Sequence, residues 1–330
     1  MAHQASITMI GSYRPDRIVS NAELAPELGV DETWITTRTG IVERRFARPD
    51  ESVTSMAVEA AQSTLSAAKV AAARVDVVIV ATSTHMLQTP ASAPMVAAAL
   101  GCAAPAAFDI SAGCSGYAHA IGQAAALIDA EQADTVLVIG SEKLSNNIDL
   151  TERTVAPIFG DGAGAALITR TETGNIRKTV WGSLGERAEL IRQEPDWDTL
   201  RKYPDAPGGG YLRMEGTEVF RWATSEVPKV VVQIADAGGV SLADIEVFVP
   251  HQANTRIIDN IARQLGWQNN SVVVADDVRR AGNTSAAALP LAIHDLISSG
   301  RAQPGQLALQ VSFGAGLSWA GQVFDLPPVA

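Results

Sequence analysis

Residues 108–130 read FDISAGCSGYAHAIGQAAALIDA. An apolar segment with β character runs to Ser111, turns at Gly113 and passes into an alanine-rich helix, with Cys114 at the bend. A thiol on such a turn meets the first helical N–H groups, and the positive end of the helix dipole favours thiolate over thiol. Gly113 and Gly116 on either side permit a sharp bend and close approach by a ligand. This stretch alone leaves two readings open: a catalytic nucleophile, or the small buried core residue that a free cysteine usually is.

Outward from it, residues 75–81 (VDVVIVA) and 134–140 (DTVLVIG) are apolar, β-branched runs, as expected for strands covered on both faces. Residues 6–12 predict a first strand that Pro15 ends, followed by short helices capped by Asn21 and Asp31 and by the basic segment Glu43-Arg44-Arg45. Residues 52–65 predict a long buried helix and 95–100 a short one. Residues 106–110 form the strand feeding Cys114, and 159–168 a glycine-rich turn entering another strand. From 181 to 210 the chain turns polar and rich in Pro and Gly, which predicts a surface excursion. Beyond it come a long helix over 219–237 interrupted near Pro228, a strand at 245–250, a helix at 254–265, a strand at 272–275, a helix at 282–297, and strands at 307–313 and 319–324.

The two parts of the chain can be laid over each other. VDVVIVATSTH matches IEVFVPHQAN, AGCSGYAHAIGQA matches AGNTSAAALPLAI, and the segments around FGDGAGAALI and FGAGLSWAG match as well. Cys114 and Asn283 are 169 positions apart and Val77 and Val247 are 170 apart, which suggests an internal duplication. Strand and helix alternate in each part, so the predicted class is α/β with mostly parallel sheets. The expected halves are 1–170, carrying the cysteine, and 171–330, carrying His251 and Asn283 and including the 181–210 excursion.

At 330 residues and 47% hydrophobic content, a core of that size is available. A formal charge of −11 argues against non-specific nucleic-acid binding, and an acidic partner would need a local basic patch. Cys102 and Cys114 are no disulfide framework and fit a reducing cytoplasm. The N-terminus lacks the regions of a signal peptide, and Pro90, Pro94 and Pro105 make the uncharged run 86–108 a poor membrane span, so a soluble protein is expected. No metal-ligand spacing, P-loop or GxGxxG is present. His251 follows a buried strand, where a ligand crevice opens in α/β sheets, and Asn283 stands at a helix start. Alone, the histidine reads equally as a surface or satisfied core residue and the asparagine as an N-cap. Cys114 at the matching turn makes a three-residue constellation the more economical account.

SAGCSGY (111–117), VPHQAN (249–254) and GNTSAA (282–287), with DETWITTRTG (31–40) and FGDGAGAA (159–166), resemble the β-ketoacyl-[acyl carrier protein] synthase III family, in order and across essentially the whole chain. The resemblance implies a thiolase-like five-layered αβαβα fold and the initiating condensation of type II fatty acid synthesis. It implies that an acyl-CoA acylates Cys114, with the backbone N–H groups of Cys114 and Ala315 holding the oxyanion. His251 and Asn283 then stabilise the enolate from malonyl-[acyl carrier protein], and Phe313 excludes water. It further implies Trp34 and Arg153 on the adenine of coenzyme A, Arg38 on phosphate, and Gly216 and Asn254 along the pantetheine tunnel. Arg221 and Arg256 match carrier-docking cations, with Arg44 and Arg45 as further candidates for a basic docking rim. No cofactor is implied, and a homodimer is. In the family the loop carrying Gln88 and Thr89 reaches the partner's acyl pocket; lacking a bulky aromatic here, it suggests room for longer or branched primers. The loop is closer to actinobacterial members than to enterobacterial ones. The alternatives are a specialised relative priming a polyketide, a degradative thiolase, a cysteine thioester hydrolase and a non-catalytic acyl-CoA-binding protein.

Overall fold

The computed structural model describes residues 4–203, 209–268 and 272–330. Residues 1–3 of the segment read for a signal peptide, and 204–208 of the predicted excursion, lie outside the described residues.

The first half opens with β1 (Ala5–Tyr13), β2 (Arg17–Ser20), α1 (Asn21–Leu28), α2 (Glu32–Thr39) and β3 (Glu43–Phe46). It continues with α3 (Val53–Ala68), β4 (Val77–Ala81), α4 (Ser92–Leu100), β5 (Ala106–Ile110), α5 (Gly116–Asp129), β6 (Thr135–Glu142) and β7 (Gly162–Arg170). The second half comprises β8 (Val180–Ser183), β9 (Ile191–Glu194), α6 (Trp197–Lys202), β10 (Tyr211–Met214), α7 (Gly216–Ala237), β11 (Val247–Pro250), α8 (Thr255–Gln264), β12 (Val273–Val274), α9 (Val278–Ala281), α10 (Ala288–Ser298), β13 (Leu307–Gly314) and β14 (Ser318–Asp325).

Local chemistry sets many of these boundaries. Asp31 Oδ1 accepts from the Trp34 N–H at 2.7 Å and starts α2, while Gly40 ends it with φ +71°. Ser20, not the predicted Asn21, caps α1; Asn21 turns inward to hold Ile41 and Arg44. Ser52 and Ser55 form a reciprocal capping box at the head of α3.

Two five-stranded sheets share one topology. Their strand orders are β5-β4-β6-β7-β1 and β12-β11-β13-β14-β8. In each, the first three strands are parallel and the last two run antiparallel to their neighbours. Helices α5 and α10 lie between the sheets, where Tyr117, Ile121, Leu289 and Leu296 join Ile79 and Val138 of one sheet to Val247 and Phe324 of the other. α3 and α4 cover the outer face of the first sheet and α7 and α8 that of the second, completing five layers, αβαβα. The 3₁₀ turns before the two central helices start at Gly113 and Ser285 and the helices at Gly116 and Ala288, each pair displaced by 172 positions. Cys114 and Asn283 therefore occupy matching turns but not matching positions.

The structure corrects three expectations. α7 runs unbroken through Pro228, because the carbonyl that proline leaves unbonded, Thr224 O, accepts from Gln264 Nε2 of α8 at 2.7 Å. The predicted helix 282–297 starts only at Ala288, after the 3₁₀ turn, so Asn283 stands clear of it. The 181–210 segment is not wholly a surface excursion: β8 is an edge strand of the second sheet, and β9 pairs with β10.

Candidate active site

The 3₁₀ turns at the heads of α5 and α10 meet between the sheets. A Cβ on Gly140 would lie 2.3 Å from Ala286 O and one on Gly116 3.2 Å from Ala81 Cβ, so these glycines admit the close approach. Cys114 sits on the first turn. Its carbonyl accepts from Ser312 Oγ at 2.6 Å, which ties it to β13 of the other half. Gly314 backs directly onto it: a Cβ there would stand 2.8 Å from Cys114 Cβ and 3.1 Å from Sγ. Ala315 N lies beside Gly113, 3.3 Å from where a Cβ on that residue would be. Both backbones of the expected oxyanion pair are thus neighbours.

His251 follows β11, and its N–H donates to Val311 O at 2.7 Å. Its ring stands edge-on to Phe313, 5.2 Å between centroids at 86°. Nδ1 is sealed without a hydrogen-bond partner among the described residues, so Nε2 is the nitrogen left for a ligand. Burial pushes the imidazole down to about 3, which keeps it neutral at physiological pH. Asn283 pairs with Phe159 in an isolated bridge, and its Oδ1 accepts from the Ser285 N–H at 2.8 Å. The side chain closes its own turn rather than capping α10, and its Nδ2 has no hydrogen-bond partner among the described residues.

Cys114, His251 and Asn283 line one cavity of about 700 Å³, together with Phe313 and Ala315. The sequence reading had the helix end favouring thiolate. Burial pushes the other way, lifting the thiol to about 11, with Glu142 adding to the rise and Ser285 opposing it. Cys114 is part-buried and reached through the cavity.

Trp34, Arg38, Arg153, Gly216, Asn254 and Arg256 line the same cavity. Arg38 rather than Arg153 lies over the Trp34 ring, 4.7 Å from its centroid. Arg153 instead donates to Leu28 O at 2.6 Å and Gly29 O at 3.2 Å, so a ready-made Trp34–Arg153 clamp is not formed. Asn254 caps α8 through Oδ1, bonded to the Ile257 N–H at 3.0 Å. A Cβ at Gly216 would meet nothing, leaving open space at that wall.

The docking cations divide. Arg256 is exposed over the Phe220 ring, and Arg221 is exposed but paired with Glu218 at 2.7 Å. Arg44 is wrong for a docking rim. β3 alternates in and out, and Arg44 points inward, fully buried, donating to Val19 O, Asn21 Oδ1 and Pro157 O. Arg45 is half-buried and donates to the Pro15 and Asp16 carbonyls. Gln88 and Thr89 are exposed and do not line their own chain's cavity.

The sequence reading missed Ser83, Thr84, Ser285 and Trp222 on the cavity wall and Glu142 behind it. Only Glu142 carried a signal, as an acidic residue two positions beyond a strand predicted over 134–140 to be buried on both faces. No group of His, Cys, Asp and Glu among the described residues could hold a metal ion, and no described helix is long and apolar enough to cross a membrane.

Comparison with known proteins agrees with this geometry. Family models described as 3-oxoacyl-[acyl-carrier-protein (ACP)] synthase III and its C-terminal part match residues 108–185 and 235–326. The chain is 50% identical over 318 residues to the mycobacterial β-ketoacyl-[acyl-carrier-protein] synthase III of Mycobacterium marinum, covering 96% of this chain and 94% of that one. It is similar to the crystal structure of the priming β-ketosynthase from the R1128 polyketide biosynthetic pathway, with TM-score 0.94, 39% identity and coverage of 99% and 97%. It is also similar to 3-oxoacyl-[acyl-carrier-protein] synthase III from Aquifex aeolicus, with TM-score 0.89, 36% identity and coverage of 97% and 99%.

Proposed function

The chain belongs to the 3-oxoacyl-[acyl-carrier-protein] synthase III family, and from that premise we propose how its residues carry out the initiating condensation of type II fatty acid synthesis. The observation that carries the reading is the convergence of a thiol and two neutral nitrogen donors from opposite halves on one cavity.

In the first half-reaction Cys114 Sγ attacks the thioester carbonyl of an acyl-CoA. The new C–S bond forms as the bond to the CoA sulfur breaks, and the thiol proton leaves on CoA. Sulfur replaces sulfur at near-equal energy, which suits a thiol nucleophile. The N–H groups of Cys114 and Ala315 hold the passing oxyanion, and one such donor is worth about 3 kcal/mol of barrier.

In the second, malonyl-[acyl carrier protein] loses CO₂, and the electron pair of the broken C–C bond enters the thioester enolate. His251 with its proton on Nε2, and Asn283 Nδ2, donate to that oxygen. A neutral imidazole polarises the enolate without handing a proton to the carbon. Phe313, packed on His251 and Trp222, keeps water from the leaving carboxylate. The carbanion attacks acyl-Cys114, the C–S bond breaks with its electron pair left on sulfur, which takes up a proton from solvent, and 3-oxoacyl-[acyl carrier protein] departs. No metal or redox cofactor enters this scheme.

Coenzyme A enters past Trp34, Arg38 and Arg153 and along Gly216 and Asn254, and the acidic carrier docks on Arg256 and Arg221. We further propose a homodimer, because β5 is an edge strand carrying exposed Phe108, and Met86, Leu87 and Met95 in the segment before it are exposed too. In such a dimer Gln88 and Thr89 would reach the partner's pocket and leave room for longer or branched primers. The two unpaired cysteines suit a cytoplasmic setting. The two matched sheets support a division at 1–170 and 171–330.

Intact-mass measurement of Cys114 loading across acetyl-, isobutyryl- and dodecanoyl-CoA, followed by a malonyl-[acyl carrier protein] chase, tests the scheme. Loading followed by 3-oxoacyl product supports it. Release of free acid without malonyl substrate would instead indicate a hydrolase, and absence of loading a binding protein. The likeness to a polyketide-priming synthase favours a second reading, a specialised primer. Chases with malonyl on a fatty-acid carrier and on a polyketide carrier separate the two.

A further inference from the structure

Glu142 ends β6 behind the cavity and is fully buried. Thr82 Oγ1 donates to it at 3.2 Å, Ser83 N at 3.1 Å, Ser83 Oγ at 3.0 Å, Thr84 Oγ1 at 2.5 Å and Ser285 Oγ at 3.0 Å. Only Ser285 comes from the other half of the chain. It holds φ +50°, a left-handed conformation that a residue with a Cβ enters at a cost. In that conformation its N–H reaches Asn283 Oδ1 at 2.8 Å. The bond turns the asparagine so that Nδ2 is its remaining group for the cavity, whose wall both residues form. A buried carboxylate is costly to keep for packing alone, and this one spends a lone pair across the two halves on a single hydroxyl.

We propose that Glu142 is a positioning residue for decarboxylation: by gripping Ser285 Oγ it locks the left-handed turn that aims the Asn283 amide at the enolate oxygen. This rests on the reading of Asn283 as an enolate donor.

Four variants test it: Glu142→Gln, Ser285→Ala, Ser285→Gly, and Asn283→Ala as reference. Each is loaded with acetyl-CoA, with Cys114 acylation followed by intact mass, then chased with malonyl-[acyl carrier protein] while CO₂ release is timed. Glu142→Gln should load Cys114 within about threefold of wild type and lose roughly tenfold in CO₂ release, the scale of one charge-assisted hydrogen bond. Ser285→Ala should lose at least as much. Ser285→Gly should recover most of the loss relative to alanine, because glycine takes φ +50° unaided. The Ser285 hydroxyl also acts to lower the pKa of the Cys114 thiol; both serine variants lack that hydroxyl, so any effect on the nucleophile is common to them. A merely structural role would depress both half-reactions together and show no glycine recovery.

Unchanged CO₂ release in Ser285→Ala, or alanine and glycine equally impaired, would overturn the proposal. If Glu142→Gln does not fold, the serine pair decides alone. If Asn283→Ala itself releases CO₂ at the wild-type rate, the donor reading fails and the proposal goes with it. An impaired Asn283→Ala beside a normal Ser285→Ala sinks the proposal only.

Discussion

Gly314→Ala is the most economical probe of the nucleophile's placement. The substitution adds one methyl to β13, at a position where backbone φ imposes no demand for glycine. That methyl would sit 2.8 Å from Cys114 Cβ, 3.0 Å from its N and 3.1 Å from Sγ. Carbon atoms rest at about 3.5–4.0 Å, so Cys114 or β13 must give way by roughly 0.7–1.2 Å. Neither is soft. Cys114 is held through its carbonyl by Ser312 Oγ, and β13 is paired on both sides, with β11 and β14. Overpacking of this kind costs about 1–3 kcal/mol of stability, which a domain of this size survives. A displacement near 1 Å at a reacting atom costs about 10²-fold in rate. Acylation of Cys114 by acetyl-CoA, followed by intact mass, should therefore slow about 10²-fold in a variant that remains folded by circular dichroism. Gly185→Ala, where an added Cβ meets nothing, is the matched control and should load normally. Wild-type loading in Gly314→Ala would mean that the thiol does not react from the position described.

Other outcomes follow from the same geometry. Cys114→Ala should abolish condensation while retaining malonyl decarboxylation, and Asn283→Ala should chiefly damage decarboxylation; full condensation by the Cys114 variant would remove it as nucleophile. Arg256→Glu should raise the apparent KM for malonyl-[acyl carrier protein] and leave acyl-CoA loading alone, and equal damage to both steps would remove the docking role. His251 is held neutral, its folded pKa of about 3 lying below the unfolded value near 6.5. The unfolded chain therefore binds the extra proton between those values. This residue's contribution to stability is whole above pH 6.5 and is lost as pH falls toward 3, at about 1.4 kcal/mol per pH unit. Thermal melts from pH 7 to 5 should fall less steeply in His251→Gln than in wild type, and parallel curves would contradict a buried neutral ring.

Much was legible in the chain itself. Buried strands announce themselves as unbroken β-branched runs, and Asp31 or the Ser52 segment as helix starts, because strand burial and capping are local in sequence. The duplication was visible because matched halves repeat the same local patterns, and the motifs around Cys114, His251 and Asn283 carried the family resemblance. What tertiary structure alone decided depends on groups far apart in the chain. Pro228 does not break α7, because Gln264 from another helix takes up the stranded carbonyl. Arg44 is a buried strut and not a surface cation, because β3 turns that side chain inward onto Val19, Asn21 and Pro157. The Cys114 thiol is pushed up to about 11 by burial, which no local pattern records. Residue types and spacing determined which groups this protein possesses. Desolvation and long-range hydrogen bonding, set only when the halves close on each other, decided their protonation, their aim and their neighbours.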